Sequence, residues 1–138
     1  MRRIVLFAFF LLVACASATD SPVSVRIVDT NITSDIRYVT AVAIRFHVEV
    51  TNPTSETTRL RKIEIHTPAA GAFSVRVENS YDREVAPGQT IAIEINGTGA
   101  STGGRFAPDE PVTFRGTAYF DSQHGAFVKM FQYVSRVQ

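Results

Sequence analysis

The chain contains no tryptophan and a single cysteine, Cys15. One thiol cannot close a bridge within the chain, so a disulfide-stapled scaffold is excluded and the fold must rest on a buried apolar core. An excess of either charge is also missing: 14 basic side chains stand against 13 acidic ones, with no run of like sign. That removes the electrostatic footprint of a nucleic-acid surface and of a polybasic membrane patch. Helical apolar spacing is absent from every eleven-residue window past the first segment. The longest apolar run, Ile4 to Val13, has ten residues, too few to cross a bilayer as a helix.

That run follows Arg2 and Arg3 and has the form of a signal-peptide core. It leads into "LVAC", Leu12 to Cys15, which resembles the lipobox of bacterial lipoproteins, where the cysteine takes a thioether-linked diacylglycerol and becomes the first residue after cleavage. The next residues, Ala16 to Ala18, equally fit ordinary secretory cleavage before Thr19, which would discard Cys15. Either way residues 1–18 read as a leader and residues 22–138 as one domain. An exported chain with one leftover thiol needs a use for it, so Cys15 is the expected lipid site and membrane contact. Without Arg2 and Arg3, twelve basic side chains face thirteen acidic ones. About 120 residues remain, enough to bury a core without disulfides. Ten phenylalanines supply aromatic bulk for it. Asn31 and Asn96 head N-x-T sequons, which matter only in a eukaryotic secretory route, and the lipobox reading opposes that.

Period-two alternation then recurs between turn signals, which predicts an all-β chain. The strands are expected at Val23 to Val28, Tyr38 to Val50, Leu60 to His66, Ala72 to Asn79, Ile91 to Asn96, Pro111 to Asp121 and Gly125 to Val137. Polar "DTNITSD" reads as a link, Pro87 and Gly88 as the centre of a turn, and "GTGASTGGRFAPDE" as an edge connection or flap. The last strand is apolar on both faces, with Val128, Met130 and Val134 on one and Phe127, Phe131 and Tyr133 on the other. It is expected either to be covered on both sides or to meet a protein partner through Phe127, Phe131 and Tyr133. Seven strands without a helix predict an immunoglobulin-like, fibronectin III-like antiparallel β-sandwich, with a barrel as the alternative.

Three stretches together resemble a family. "VEVTNPTSETTRLRKIEI" ends a strand in Asn52-Pro53 before a polar turn, "EVAPGQTIAIEING" joins a turn to an isoleucine-rich strand, and "VTFRGTAYFDSQHGAFVKMFQY" is a closing pair with Gly116 and Gly125 inside it. Their order and spacing are similar to those of late embryogenesis abundant (LEA) type 2 proteins, whose bacterial and archaeal relatives carry the water stress and hypersensitive response (WHy) domain. The likeness spans roughly Val23 to Arg136. It departs at "TPAAGAFSVRVENSYDR", which is less apolar, and at Gly97 to Arg105, which looks like an insertion. The resemblance implies a single sandwich without cofactor or catalytic residues, and a role in envelope stress protection or in contact with protein and membrane surfaces. It maps only Asn52 and Pro53, in a structural role.

One constellation has the residue types of a metal site: His47 and Glu49 before the Asn52-Pro53 turn, Glu64 and His66 after it. If the two strands form a hairpin with Val48 opposite Ile65, His47 faces His66 and Glu49 faces Glu64, a ligand set that zinc accepts. Sliding the register by two residues sets His47 opposite Glu64 and Glu49 opposite Lys62, where every cross-strand pair is favourable. The second arrangement is expected, which leaves a solvated face and no metal. Other groups offer less. Asp109 and Glu110 are adjacent and point apart if extended. Ser122 beside His124 reads as a polar turn without a glycine elbow. The glycine run precedes a strand and lacks the lysine of a phosphate loop. The chain therefore reads as a non-enzymatic envelope protein; an interaction subunit using the last strand is the alternative, and a metal-dependent enzyme the remote one.

Overall fold

A computed structural model describes residues 22–32, 41–68, 73–101 and 111–136, the side chains of Ser101 and Arg136 excepted. The expected leader, Cys15 and the Asp109-Glu110 pair lie outside the described residues, as do Tyr38 and four of the ten phenylalanines, Phe7, Phe9, Phe10 and Phe106. The described residues form seven strands and no helix: β1 (Ser24–Ile32), β2 (Ala41–Thr51), β3 (Thr58–His66), β4 (Phe73–Val85), β5 (Thr90–Ser101), β6 (Pro111–Ser122) and β7 (Gly125–Arg136). All ladders are antiparallel, in the order β1-β2-β5-β4-β3-β6-β7. The architecture is the expected immunoglobulin-like, fibronectin III-like sandwich: β1, β2 and β5 make one layer, and β3, β6, β7 and most of β4 the other.

The core is built by alternation. Along β2, Val42, Ile44, Phe46, Val48 and Val50 are all buried, and Ile63, Ile65, Phe114, Ala118 and Phe120 answer them from the other layer. The Phe46 and Phe114 rings meet edge to face across the layers, 5.1 Å between centroids. Each such side chain stabilises the fold by about 1.5–3 kcal/mol through removal from water. At one end the layers nearly close on each other, where the Thr30 hydroxyl of β1 donates to Ser135 Oγ of β7 at 3.1 Å.

The expected hairpin between β2 and β3 does not exist. β2 pairs with β1 and β5, and β3 pairs with β4 and β6, so the segment from Asn52 to Thr57 carries the chain from one layer to the other. Alternation reports which face of a strand is buried and is silent about its neighbour, and in a sandwich both layers point their apolar faces inward. Either hairpin register would have kept the apolar face intact, and neither is real.

Three strands outrun their expected ends. β1 continues through Ile32, with a register shift between Ile27 and Asp29 that lets polar "DTN" stay in the ladder. β4 continues to Val85: from Arg76 onward it pairs with β3 alone, and the half-covered positions Asn79 and Tyr81 tolerate polar atoms there. β5 takes in Gly97 to Ser101, the start of the supposed flap. A Cβ on Gly99 would lie 2.0 Å from Cζ of Phe73, and one on Gly97 would lie 3.3 Å from Cβ of Val77. These glycines admit neighbouring side chains at and beside the pairing of β4 with β5, which among the described residues runs from Phe73 to Val75 against Gly99 to Ser101.

Candidate functional site

The four metal-ligand candidates are dispersed. His47 and Glu49 lie on the outer face of one layer, Glu64 and His66 on the outer face of the other, with the core between them. His47 stands between Asp29 (Nδ1 to Oδ2, 3.7 Å) and Glu94 (Nε2 to Oε2, 3.6 Å). Glu49 receives the Arg26 guanidinium at 2.6 Å. His66 is opposite Arg76 and Arg115, which are cationic neighbours and no ligands. The described residues contain no group of three or more histidine, cysteine, aspartate or glutamate side chains that could hold a metal ion.

Glu64 belongs to a small polar cluster. Lys62 Nζ donates to its Oε1 at 2.6 Å, the Tyr119 hydroxyl donates to its Oε2 at 3.1 Å, and the same ammonium lies 4.4 Å from the centre of the Tyr119 ring. The lysine hydrogen bond holds the Glu64 carboxyl below its ordinary range, and the bond to Glu64 raises the Tyr119 phenol above its own. The folded value for Glu64 is lower than the unfolded one, so its stabilisation is complete above the unfolded value of about 4.3 and disappears as pH falls through the folded value. Carboxyl-detected NMR should find Glu64 moved up towards the ordinary glutamate range in Lys62→Met, and Tyr119 moved down in Glu64→Gln. Unchanged titrations would remove the cluster's electrostatic role.

A shallow groove of about 300 Å³ opens at the end of the sandwich and is lined by Arg59, Arg61, Glu84, Asp121 and Ser122, among others. Its charges are matched internally: Arg59 binds Asp82 and Glu84, and Arg61 binds Asp82 and Asp121. Ser122 spends its hydroxyl on the turn, donating to the Gly125 carbonyl and accepting from the His124 amide. Nothing here activates a nucleophile.

The most closely determined polar arrangement surrounds Asn52, which is fully buried. Its Nδ2 donates to the carbonyls of Glu56 (2.7 Å) and Val85 (2.8 Å), and its Oδ1 accepts from the amide and hydroxyl of Thr54 (3.1 and 2.7 Å). Its own amide donates to Gln89 O at 2.9 Å, and its carbonyl accepts from Gly88 N at 2.7 Å. Pro87 and Gly88 form a turn closed by Gln89 N on Ala86 O, with Gly88 at φ +70°, the geometry of a type II turn. One side chain thus ties the crossover between the layers to the β4–β5 turn. The sequence motifs "TNPT" and "VAPGQT" are 33 residues apart at the Asn52–Val85 bond and in contact in space.

The last strand shows one covered face and one bare face. Phe127, Phe131 and Tyr133, the residues expected to form an interface, are half-buried and pack against the core. Phe127 stacks on Phe120 at 5.1 Å, and Phe131 fills the space left by Gly116, where a Cβ would come within 2.1 Å of its ring. The opposite face, with Val128, Met130 and Val134, is the exposed one. Neither coverage on both sides nor an interface through the aromatics matches this, because among the described residues β7 has a layer beneath it and nothing above.

Comparison with known proteins places the fold. No family model matches the sequence, and no curated protein does. Solved structures do match. A structural-genomics target designated SoR45 aligns at 14% identity over 82% of this chain and 86% of its own, with a TM-score of 0.57. A Bordetella pertussis structure assigned to the ApaA protein aligns at 17% identity over 83% and 93%, with a TM-score of 0.58. A β-glucuronidase of Bacteroides uniformis aligns at 13% identity over 78% of this chain but only 12% of its own, with a TM-score of 0.52. At these identities the shared property is the β-sandwich.

Proposed function

We propose that this chain is a non-enzymatic β-sandwich protein of the cell envelope, held at a membrane by a lipid on Cys15 and acting by contact with other surfaces, in the stress-protective manner of LEA type 2 proteins. The observation that carries this reading is the Asn52 joint. Two of the three stretches behind the family resemblance owe their residue choices to a single buried hydrogen-bond centre, so their co-occurrence has a physical cause. The lipid anchor is supported by Leu12 to Cys15 and by the absence of any second cysteine. Feeding cells a clickable fatty acid should label the chain through Cys15, and Cys15→Ser should abolish both labelling and membrane retention. A Cys15→Ser protein exported and retained as before would sink the anchor. A second reading, an interaction subunit of an envelope assembly, is favoured by the bare apolar face of β7.

A further inference from the structure

One row of outward side chains on the β3-β6-β7 layer gathers charge of a single sign. His66 of β3 lies opposite Arg76 of β4 on one side and Arg115 of β6 on the other, and Gln132 of β7 lies opposite Arg115 in turn. Arg76, His66 and Arg115 are all exposed. Directly opposed residues stand about 5 Å apart at Cβ, so the row sets two guanidiniums, an imidazole and an amide across roughly 15 Å. Its backbone is fixed where the ladder ends: the Thr67 amide donates to the Val75 carbonyl at 3.1 Å, and the Val75 amide to Thr67 Oγ1 at 3.0 Å.

Most other cations hold carboxylates, since Arg26, Arg45, Arg59, Arg61 and Lys62 are each in an ion pair. The neighbouring row shows how the fold settles opposed like charges. Glu64 faces Glu78 there, and Lys62 reaches both, at 2.6 and 3.4 Å. The cation row has no such counter-ion among the described residues: Arg76, His66 and Arg115 make no hydrogen bond or ion pair, and Arg76 acts on Glu64 only through its field. Like charges facing each other across strands destabilise a sheet. An anion from outside the chain would reverse that cost and stabilise the fold by binding it.

We propose that Arg76, His66 and Arg115 form a binding site for one phosphate group, with Gln132 at its margin. The planar guanidinium fork matches phosphate oxygens two at a time, and two forks supply the charge that neutralises a phosphate dianion. The imidazole between them donates a further N–H. Glu64 and Glu78 are the nearest anions, and Lys62 between them takes up part of their charge. Three such side chains are too few for a nucleic-acid strand, whose binding draws on many phosphate contacts. A lipid headgroup and a soluble phosphate ester share the chemistry the row recognises. The site does not depend on a lipid at Cys15, so a chain lacking that lipid should bind phosphate equally.

Arginine side-chain NMR of the purified full-length chain in a maltoside detergent, titrated with inorganic phosphate at constant ionic strength, tests this. The Nε–Hε signals of Arg76 and Arg115 should move together with a dissociation constant of ~1 mM, while those of Arg26 and Arg59 stay in place. Acetate should bind at least about tenfold more weakly. Arg115→Gln, at an exposed position, should weaken phosphate binding by about tenfold, and in phosphate-free buffer it should raise the melting temperature by about 2 °C by removing an opposed charge. An arginine kept only for the fold would lower it instead. Nanodiscs separate the two sources. Signals already displaced in phosphatidylglycerol discs, and not in phosphatidylcholine discs, assign the row to a lipid headgroup; signals that move in both only when phosphate is added assign it to a soluble group. No response to either ~10 mM phosphate or phosphatidylglycerol, an equal response to acetate, or undiminished binding by Arg115→Gln would overturn the proposal.

Discussion

Replacing Asn52 with alanine is expected to destabilise the protein by about 3–4 kcal/mol and to lower the melting temperature by roughly 12–16 °C. The side chain makes four hydrogen bonds in a fully buried position, each worth about 1 kcal/mol; its loss takes a donor from the Val85 carbonyl and leaves the Glu56 carbonyl with the Thr54 hydroxyl alone, 2.9 Å away. Asn52→Asp separates this from cavity formation. Aspartate keeps the volume and the acceptor for Thr54, but offers its oxygens to two carbonyl oxygens, so most of the loss should remain. Pro53→Ala, at the exposed neighbouring position, should change stability by less than about 1 kcal/mol. Urea titration reads all three as shifts in midpoint at constant slope. An Asn52→Asp protein as stable as the parent would contradict the role assigned to Nδ2.

Gly99→Ala should cost about 3 kcal/mol, a large effect for one methyl group. The added Cβ would occupy the space of the buried Phe73 ring, 2.0 Å from its Cζ, at the junction where β4 bridges the two layers. The ring has to turn away or the strands have to part. Phe73→Leu should relieve the overlap, so the double variant should be more stable than the sum of the two single losses by about 1.5 kcal/mol. Strict additivity in that cycle would mean that Gly99 is required for some reason other than the ring.

These positions also measure how far the sequence could be read. Alternation along Val42 to Val50 and at Ile63 and Ile65 identified the buried faces, and with the turn signals it led to seven strands and a sandwich; the register shift between Leu60 and Lys62, which buries Leu60 as well, leaves no such mark. It could not identify neighbours, and that is why His47 and His66, symmetric on paper, stand on opposite outer faces. Glycine spacing misled in the same way: "GTGAS" has loop composition, yet Gly97 and Gly99 are strand residues cleared for Val77 and Phe73, contacts that only the fold creates. In the last strand both faces are apolar, so composition offered no means of telling which one meets the core; the aromatics chosen as an interface proved to be the covered side. Asn52 was visible as a motif. Its six bonding partners were not, because three of them belong to Val85, Gly88 and Gln89, which come near only after β4 has joined β3.

The Asn52 joint bears on the speed at which the chain assembles. It ties residue 52 to residues 85, 88 and 89, and β2 to β3, neighbours in sequence, belong to different layers. No local fragment contains both halves of the joint, so a loop of more than thirty residues must close before its hydrogen bonds repay the lost freedom. Sandwiches of this topology fold in roughly milliseconds to seconds, well behind helical domains of the same size. The polar centre that fixes the finished sandwich is therefore absent from the early, locally structured chain.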